Sequence, residues 1–234
     1  MRILVLGVAM NASQLLKQER ADAVALLESL TEEQWQATTL CEGWTVTHLV
    51  AHMVARETQP IRFIFAESTK GKLGLHPDDL MQQALKQGRF ALLQKLRNGP
   101  PLAFRLPGAA LANFVEQWVH NEDLRRAGLN KPRVSPPAVQ DLIWKLLHIN
   151  ARMMLRSFKT PGIIALVRPN GKSLAFQVGT GFPRQANLAD AAVKLIGEPG
   201  EILLYLFGRK SAANVSIEGD PHLVQALREA VMAL

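Results

Sequence analysis

Apolar positions in the first part of the chain recur at helical spacing. In "SQLLKQERADAVALLESL", residues 13–30, Leu15, Leu16, Val24, Leu27 and Leu30 predict a first bundle helix. Thr31 with Gln34 three positions on has the capping-box pattern, which starts a short helical turn. After the loop "ATTLCEG", a second helix is expected from about Trp44 to Glu57, and Gly71 and Gly74 fall in a loop. "HPDDLMQQALKQGRFALLQKLRNG" predicts a third helix, closed by Gly99 with prolines beyond it. A fourth is expected from about 109 to 128, ending at Gly128. A fifth is expected in "SPPAVQDLIWKLLHINARMMLRSF", with a serine cap and a proline in its first turn.

At Thr160, Pro161 and Gly162 the pattern changes. "GIIALVRPNGKSLAFQV" places two β-favouring runs around Asn170-Gly171, a strong hairpin signal. Beyond it come a helix in "GEILLYLFGRK", a strand in "NVSIEG" and a last helix from Pro221 to Leu234. The expected fold class is therefore α plus α/β. A four-helix bundle with an additional helix occupies residues 11–158, and a small α+β domain occupies residues 160–234. The apolar opening "MRILVLGVAM" lacks a glycine-rich turn after Gly7, so it carries no dinucleotide fingerprint. It is expected to be a short terminal strand, or an upstream extension of a protein whose natural start is Met10.

Composition narrows the class. The chain has 234 residues, 48% of them apolar, and no apolar run near the roughly eighteen a membrane span needs. One cysteine, Cys41, excludes an internal disulfide framework and fits a reducing cytoplasm. The net charge of +7 is spread in ones and twos with acids interleaved, without a basic run or a stacking array of aromatics. Nucleic acid is not the expected partner. The expected state is a monomer or homodimer that binds small molecules.

Two helices carry chemistry. In "NFVEQWVHNED", Glu116, His120 and Asp123 stand at i, i+4 and i+7, one stripe of a helix, where polar groups facing a core need compensation. In "WTVTHLVAHMVARE", His48 and His52 are one turn apart and Arg56 continues the same face. If these helices are neighbours, His52, Glu116 and His120 converge as two imidazoles and a carboxylate, the ligand set of a catalytic zinc site with an open position. Nickel or iron(II) accepts the same set. Spacing alone equally allows a solvated or hydrogen-bonded histidine pair and an exposed Glu116. His76, His148 and His222 have no expected ligand role. Cys41 lies roughly 12 Å along the axis from His52, too far for a shared metal unless a loop folds back. A small buried residue is the default there.

"TLCEGWTVTHLVAHMVARE" followed by "NFVEQWVHNEDLRRAG" resembles the DinB-like metal-binding bundle of the mycothiol-dependent maleylpyruvate isomerase superfamily. Within it, the sequence is most similar to an actinobacterial branch described only as metal-binding. "GEILLYLFGRKSAANVSIEGDP" is similar to that family's sterol-carrier-like carboxy-terminal domain. The resemblance implies a DinB-like bundle with metal ligands at His52, Glu116 and His120, and it leaves His48 outside the ligand set. Asp123 is a candidate for orienting a ligand or substrate group. Arg56 is a candidate for holding a carboxylate of thiol or substrate, with an exposed helix-end arginine as the equal alternative.

The resemblance further implies a divalent metal, zinc first, and mycothiol, the thiol actinobacteria use in place of glutathione, as cosubstrate. A metal-held thiol is deprotonated to its nucleophilic form, which suits a thiol transferase or isomerase acting on an electrophilic small molecule. A non-catalytic metal-binding protein, a metal-dependent hydrolase and a binder of lipid or other apolar ligands through residues 160–234 remain the other expectations.

Overall fold

Helix α1 (Arg2–Glu28) opens the chain in the computed structural model, which describes residues 2–101 and 107–231. The expected terminal strand is therefore replaced by helix from Arg2 onward. No breaker separates residues 2–11 from the helix that follows, and extending a helix costs far less than starting one. The chain then divides into two compact units, residues 1–133 and 134–234.

The first unit continues with α2 (Glu32–Trp35), α3 (Val46–Thr58), α4 (Pro60–Thr69), α5 (Pro77–Leu85), α6 (Gly88–Asn98) and α7 (Pro107–Arg126). The capping box expected at Thr31 is present, with Gln34 N donating to Thr31 Oγ1 and Thr31 N to Gln34 Oε1. The third predicted helix is two helices, because Gly88 takes a φ of +78°, a left-handed value that breaks the run between α5 and α6. Helix α4 lies between the second predicted helix and the Gly71–Gly74 loop, where no element was expected. Pro60 stands in its first turn and Phe63 and Ala66 bury its inner face.

Helices α1, α7, α3 and α6 pack in a ring, with α5 against α3. Leu27, Trp35, Leu49, Val50, Phe63, Leu80, Leu92 and Leu124 are among the side chains of the core. Helix α7 is buried on nearly every side from Phe114 to Leu124, including Gln117, His120, Asn121, Glu122 and Asp123. Part of its polar content is locked structurally. Arg133 bridges Glu19 of α1 (2.5 Å) and Glu122 of α7 (2.8 Å), Arg126 pairs with Glu122 (2.6 Å), and Asn121 Nδ2 donates to Glu19 Oε2 (2.7 Å). Buried carboxylates thus meet guanidinium partners, the condition under which burying a charge is tolerated.

The second unit holds α8 (Pro137–Met154), β1 (Gly162–Val167), β2 (Ser173–Val178), β3 (Arg184–Gln185), β4 (Val193–Ile196), α9 (Pro199–Leu206), β5 (Ser216–Gly219) and α10 (Pro221–Glu229). The sheet order is β3-β2-β1-β4-β5, with β1 parallel to β4 and the other neighbours antiparallel. The hairpin turns where expected, Gly171 taking φ +81°. The last helix ends at Glu229, and residues 232–234 of its expected course lie outside the described residues.

The fifth predicted helix is α8, which packs on α9 and falls in the second compact unit, residues 134–234. Its apolar face of Val139, Leu142, Ile143, Leu146 and Leu147 is buried, and Gln140 Oε1 accepts from Gly200 N at 2.8 Å. An apolar stripe states that a helix needs a partner and not which one. Among the described residues, no helix is long and apolar enough to cross a membrane.

Candidate metal centre

Thr45 starts α3 by a reciprocal cap. His48 N donates to Thr45 Oγ1 (3.4 Å), Thr45 N donates to His48 Nδ1 (3.3 Å), and the two side chains meet at 2.8 Å. His48 is thereby committed to the helix end. One turn on, the His52 ring lies among Trp44 (5.0 Å between centroids), Phe63 (5.2 Å) and His120 of α7 (5.1 Å, nearly perpendicular).

On α7, Glu116, His120 and Asp123 share the stripe that faces α3. His120 Nδ1 lies 3.0 Å from Asp123 Oδ2, and its Nε2 lies 3.4 Å from Glu116 Oε2. That Nε2 is buried and has no hydrogen-bond partner. One ligand atom each from His52, Glu116 and His120 falls within 4.8 Å of the others. Arg56 borders the cluster, its Nε 3.6 Å from Glu116 Oε2 and its Nη1 donating to Asn113 Oδ1 at 3.1 Å. His76, His148 and His222 are exposed, and none belongs to a candidate ligand group among the described residues.

The charge states follow from these neighbours. Burial, reinforced by the positive His120, pushes the His52 pKa down to about 3, so this imidazole is neutral with a lone pair available. Burial raises the Glu116 carboxyl, but the close approach of His120 and the nearby Arg56 outweigh it and hold the group at about 2. His120 is raised well above its ordinary value. Burial opposes the proton, and contacts with Asp123, Cys41 and Glu116 overcome that opposition. A pocket that holds a proton between two carboxylates has the field to hold a cation in its place. The orphaned Nε2, the neutral His52 and the ionised Glu116 together fit a divalent metal with nitrogen and oxygen ligands.

Three features escaped the sequence reading. The segment from Gln36 to Trp44 does fold back onto α7, with Leu40 N donating to Asp123 O (3.3 Å), Gly128 N to Thr38 O (3.0 Å) and Cys41 Sγ to Asp123 Oδ2 (3.3 Å). Helical rise alone could not reveal this. Glu67 of α4 senses the centre, its pKa raised by partial burial and the charge of Glu116. A hollow lined by Met53, Arg56, Asn113, Glu116 and His120 adjoins, through Asn113, a cleft of about 640 Å³. Lys17, Arg20, Arg97 and Asn98 line the cleft, and Arg20 pairs with Glu57 of the inner hollow. That volume suits a small molecule.

A helical unit whose facing helices converge two imidazoles and a carboxylate defines the class, a bundle protein with a candidate three-ligand centre. Residues 16–125 match the family model described as the mycothiol maleylpyruvate isomerase N-terminal domain. The helical unit thus carries the N-terminal domain of the mycothiol maleylpyruvate isomerase family, as its two motifs led us to expect. Among solved structures, the chain is similar to the mycothiol-dependent maleylpyruvate isomerase (16% identity, 92% of each chain, TM-score 0.43). It is similar also to a histidine-to-alanine mutant of that enzyme (16% identity, 92% of each chain, TM-score 0.44). Likeness at this level assigns no individual residue. No curated protein matches the chain significantly.

Proposed function

We propose that the helical unit binds one divalent metal, zinc first, through His52, Glu116 and His120, and that the protein is a thiol-dependent isomerase or transferase using mycothiol as cosubstrate. The observation that carries this reading is the buried Nε2 of His120, which has no hydrogen-bond partner and faces Glu116 beside the neutral His52. A metal bound there supplies Lewis acidity at its open position, sufficient to hold a small-molecule thiol as thiolate.

The chain's own residues do the rest. Asp123 accepts from His120 Nδ1 and so turns Nε2 toward Glu116. Trp44 and Phe63 flank His52 and shield part of its ring from water. Arg56, tied to Asn113 and close to Glu116, offers a guanidinium at the cluster edge for a carboxylate of thiol or electrophile. The cleft reached past Asn113 gives the non-reacting part of such a molecule room.

Metal content and thiol dependence of turnover test the reading. Purified protein is expected to hold one metal per chain, and His120→Ala and Glu116→Gln are expected to lose it while His148→Ala keeps it. With metal bound, conversion of an electrophile such as maleylpyruvate is expected to require mycothiol, which an isomerase returns unchanged and a transferase consumes. Full metal content in His120→Ala would remove the ligand assignment. Metal-dependent hydrolysis that is independent of added thiol would replace thiol chemistry with activated water.

A further inference from the structure

Cys41 is the chain's single cysteine, and it stands at the fold-back of the segment before α3. Its position is built from both sides. Cys41 N donates to Thr39 Oγ1 (3.2 Å), Thr39 Oγ1 donates to Trp44 O (3.1 Å), and Trp44 N donates to Cys41 O (3.0 Å). The resulting turn presents two side chains to the centre. Trp44 packs on the His52 ring, and Cys41 Sγ reaches Asp123 Oδ2 at 3.3 Å. The same Asp123 oxygen lies 3.0 Å from His120 Nδ1, and Asp123 is fully buried.

We propose that Cys41 is a positioning residue of this centre, its thiol donating to Asp123 so that the carboxylate in turn fixes the ring of His120. The proposal rests on the metal reading above. A thiol is a weak donor, but in a water-free site a carboxylate oxygen shared by two donors loses orientation when one is removed. Asp123 is also held through its backbone, since its carbonyl accepts from Leu40 N, the residue next to Cys41. The fold-back segment therefore grips Asp123 at main chain and side chain together.

A competing role is geometrically available. Cys41, Asp123 and His120 also offer ligand atoms within 4.8 Å of one another. A metal there would take His120 Nδ1 away from Asp123 and leave the buried Nε2 still without a partner. Binding on the Nε2 side satisfies both ring nitrogens, with the Nδ1 proton going to the carboxylate.

Zinc affinity of the full-length chain, measured by chelator competition at neutral pH, separates these cases. Cys41→Ala is expected to weaken zinc about tenfold, at the lower end of the roughly 10–100-fold that such outer partners carry. Cys41→Ser keeps a donor and is expected to stay within about threefold of the wild type on the same scale. A purely structural role would not move a second readout, the solvent exchange of the His120 Nδ1 proton seen by NMR in the zinc-loaded protein. That exchange is expected to accelerate in Cys41→Ala and, as a control, in Asp123→Asn. Wild-type affinity and exchange in Cys41→Ala, with zinc lost in His120→Ala, would overturn the proposal and leave the metal reading intact. Zinc retained in His120→Ala would overturn both. A sulfur-to-metal charge-transfer band in the cobalt protein that vanishes in Cys41→Ser would make Cys41 a ligand and overturn the positioning role.

Discussion

His52 and His120 face each other with ring centres 5.1 Å apart, yet their surroundings drive their pKa values in opposite directions. The His52 pKa falls from 6.5 to about 3, so between those values the unfolded chain binds a proton that the folded metal-free protein refuses. Stability from His52 therefore rises with pH across that window and is lost as pH falls through it. His120 has the reverse sign. Its raised pKa adds stability that is fully present below 6.5 and is lost as pH climbs through the folded value. Replacing His52 by leucine is expected to flatten the acid limb of metal-free stability between pH 6.5 and 3, measured as Tm by calorimetry. Parallel curves for His52→Leu and wild type would show that His52 is not the group that titrates.

At the scale of elements, the start of α3 and the segment before it determine where the histidines point. Thr45→Ala removes the side-chain acceptor of the cap and is expected to cost about 1 kcal/mol in denaturant unfolding. His48→Ala is expected to leave metal stoichiometry unchanged, because His48 caps the helix while His52 faces α7. Metal loss in His48→Ala with normal helicity would reverse that division of labour. Gly128 closes the far end of the fold-back. A Cβ there would meet Thr38 N at 2.9 Å and Ala37 Cβ at 3.0 Å. Gly128→Ala is therefore expected to cost about 1–3 kcal/mol through overpacking against backbone. It should also weaken zinc, since it pushes away the segment that carries Cys41 and Trp44. Unchanged Tm and unchanged affinity together would show that the segment yields freely.

For the whole molecule, every candidate ligand and Arg133, the partner of Glu19 and Glu122, falls within residues 1–133. A fragment of residues 1–133 is expected to fold and to bind one metal per chain, as read by calorimetry and metal analysis. A folded fragment without metal would show that residues 134–234 contribute to the centre. The position of the boundary matters here, because a cut at 160 would keep α8 without α9, against which its apolar face packs.

The periodicity of apolar positions determined most helices, the Asn170-Gly171 hairpin and the change from helical to mixed structure. Those are local effects, set by side-chain direction and turn chemistry within a few residues. The same periodicity placed Glu116, His120 and Asp123 on one stripe and His52 on another, so the residues of the candidate centre were legible before their contact was. Only tertiary packing decided that α3 faces α7, that α8 belongs with α9, and that the Cys41 segment folds back to reach Asp123. The division of α5 from α6 at Gly88 and the locking of Glu19 and Glu122 by Arg133 were decided there too. Each depends on partners distant in sequence or on a glycine free to turn either way. The charge states of the centre belong to the tertiary structure as well, because burial and opposed charges exist only once the helices are packed.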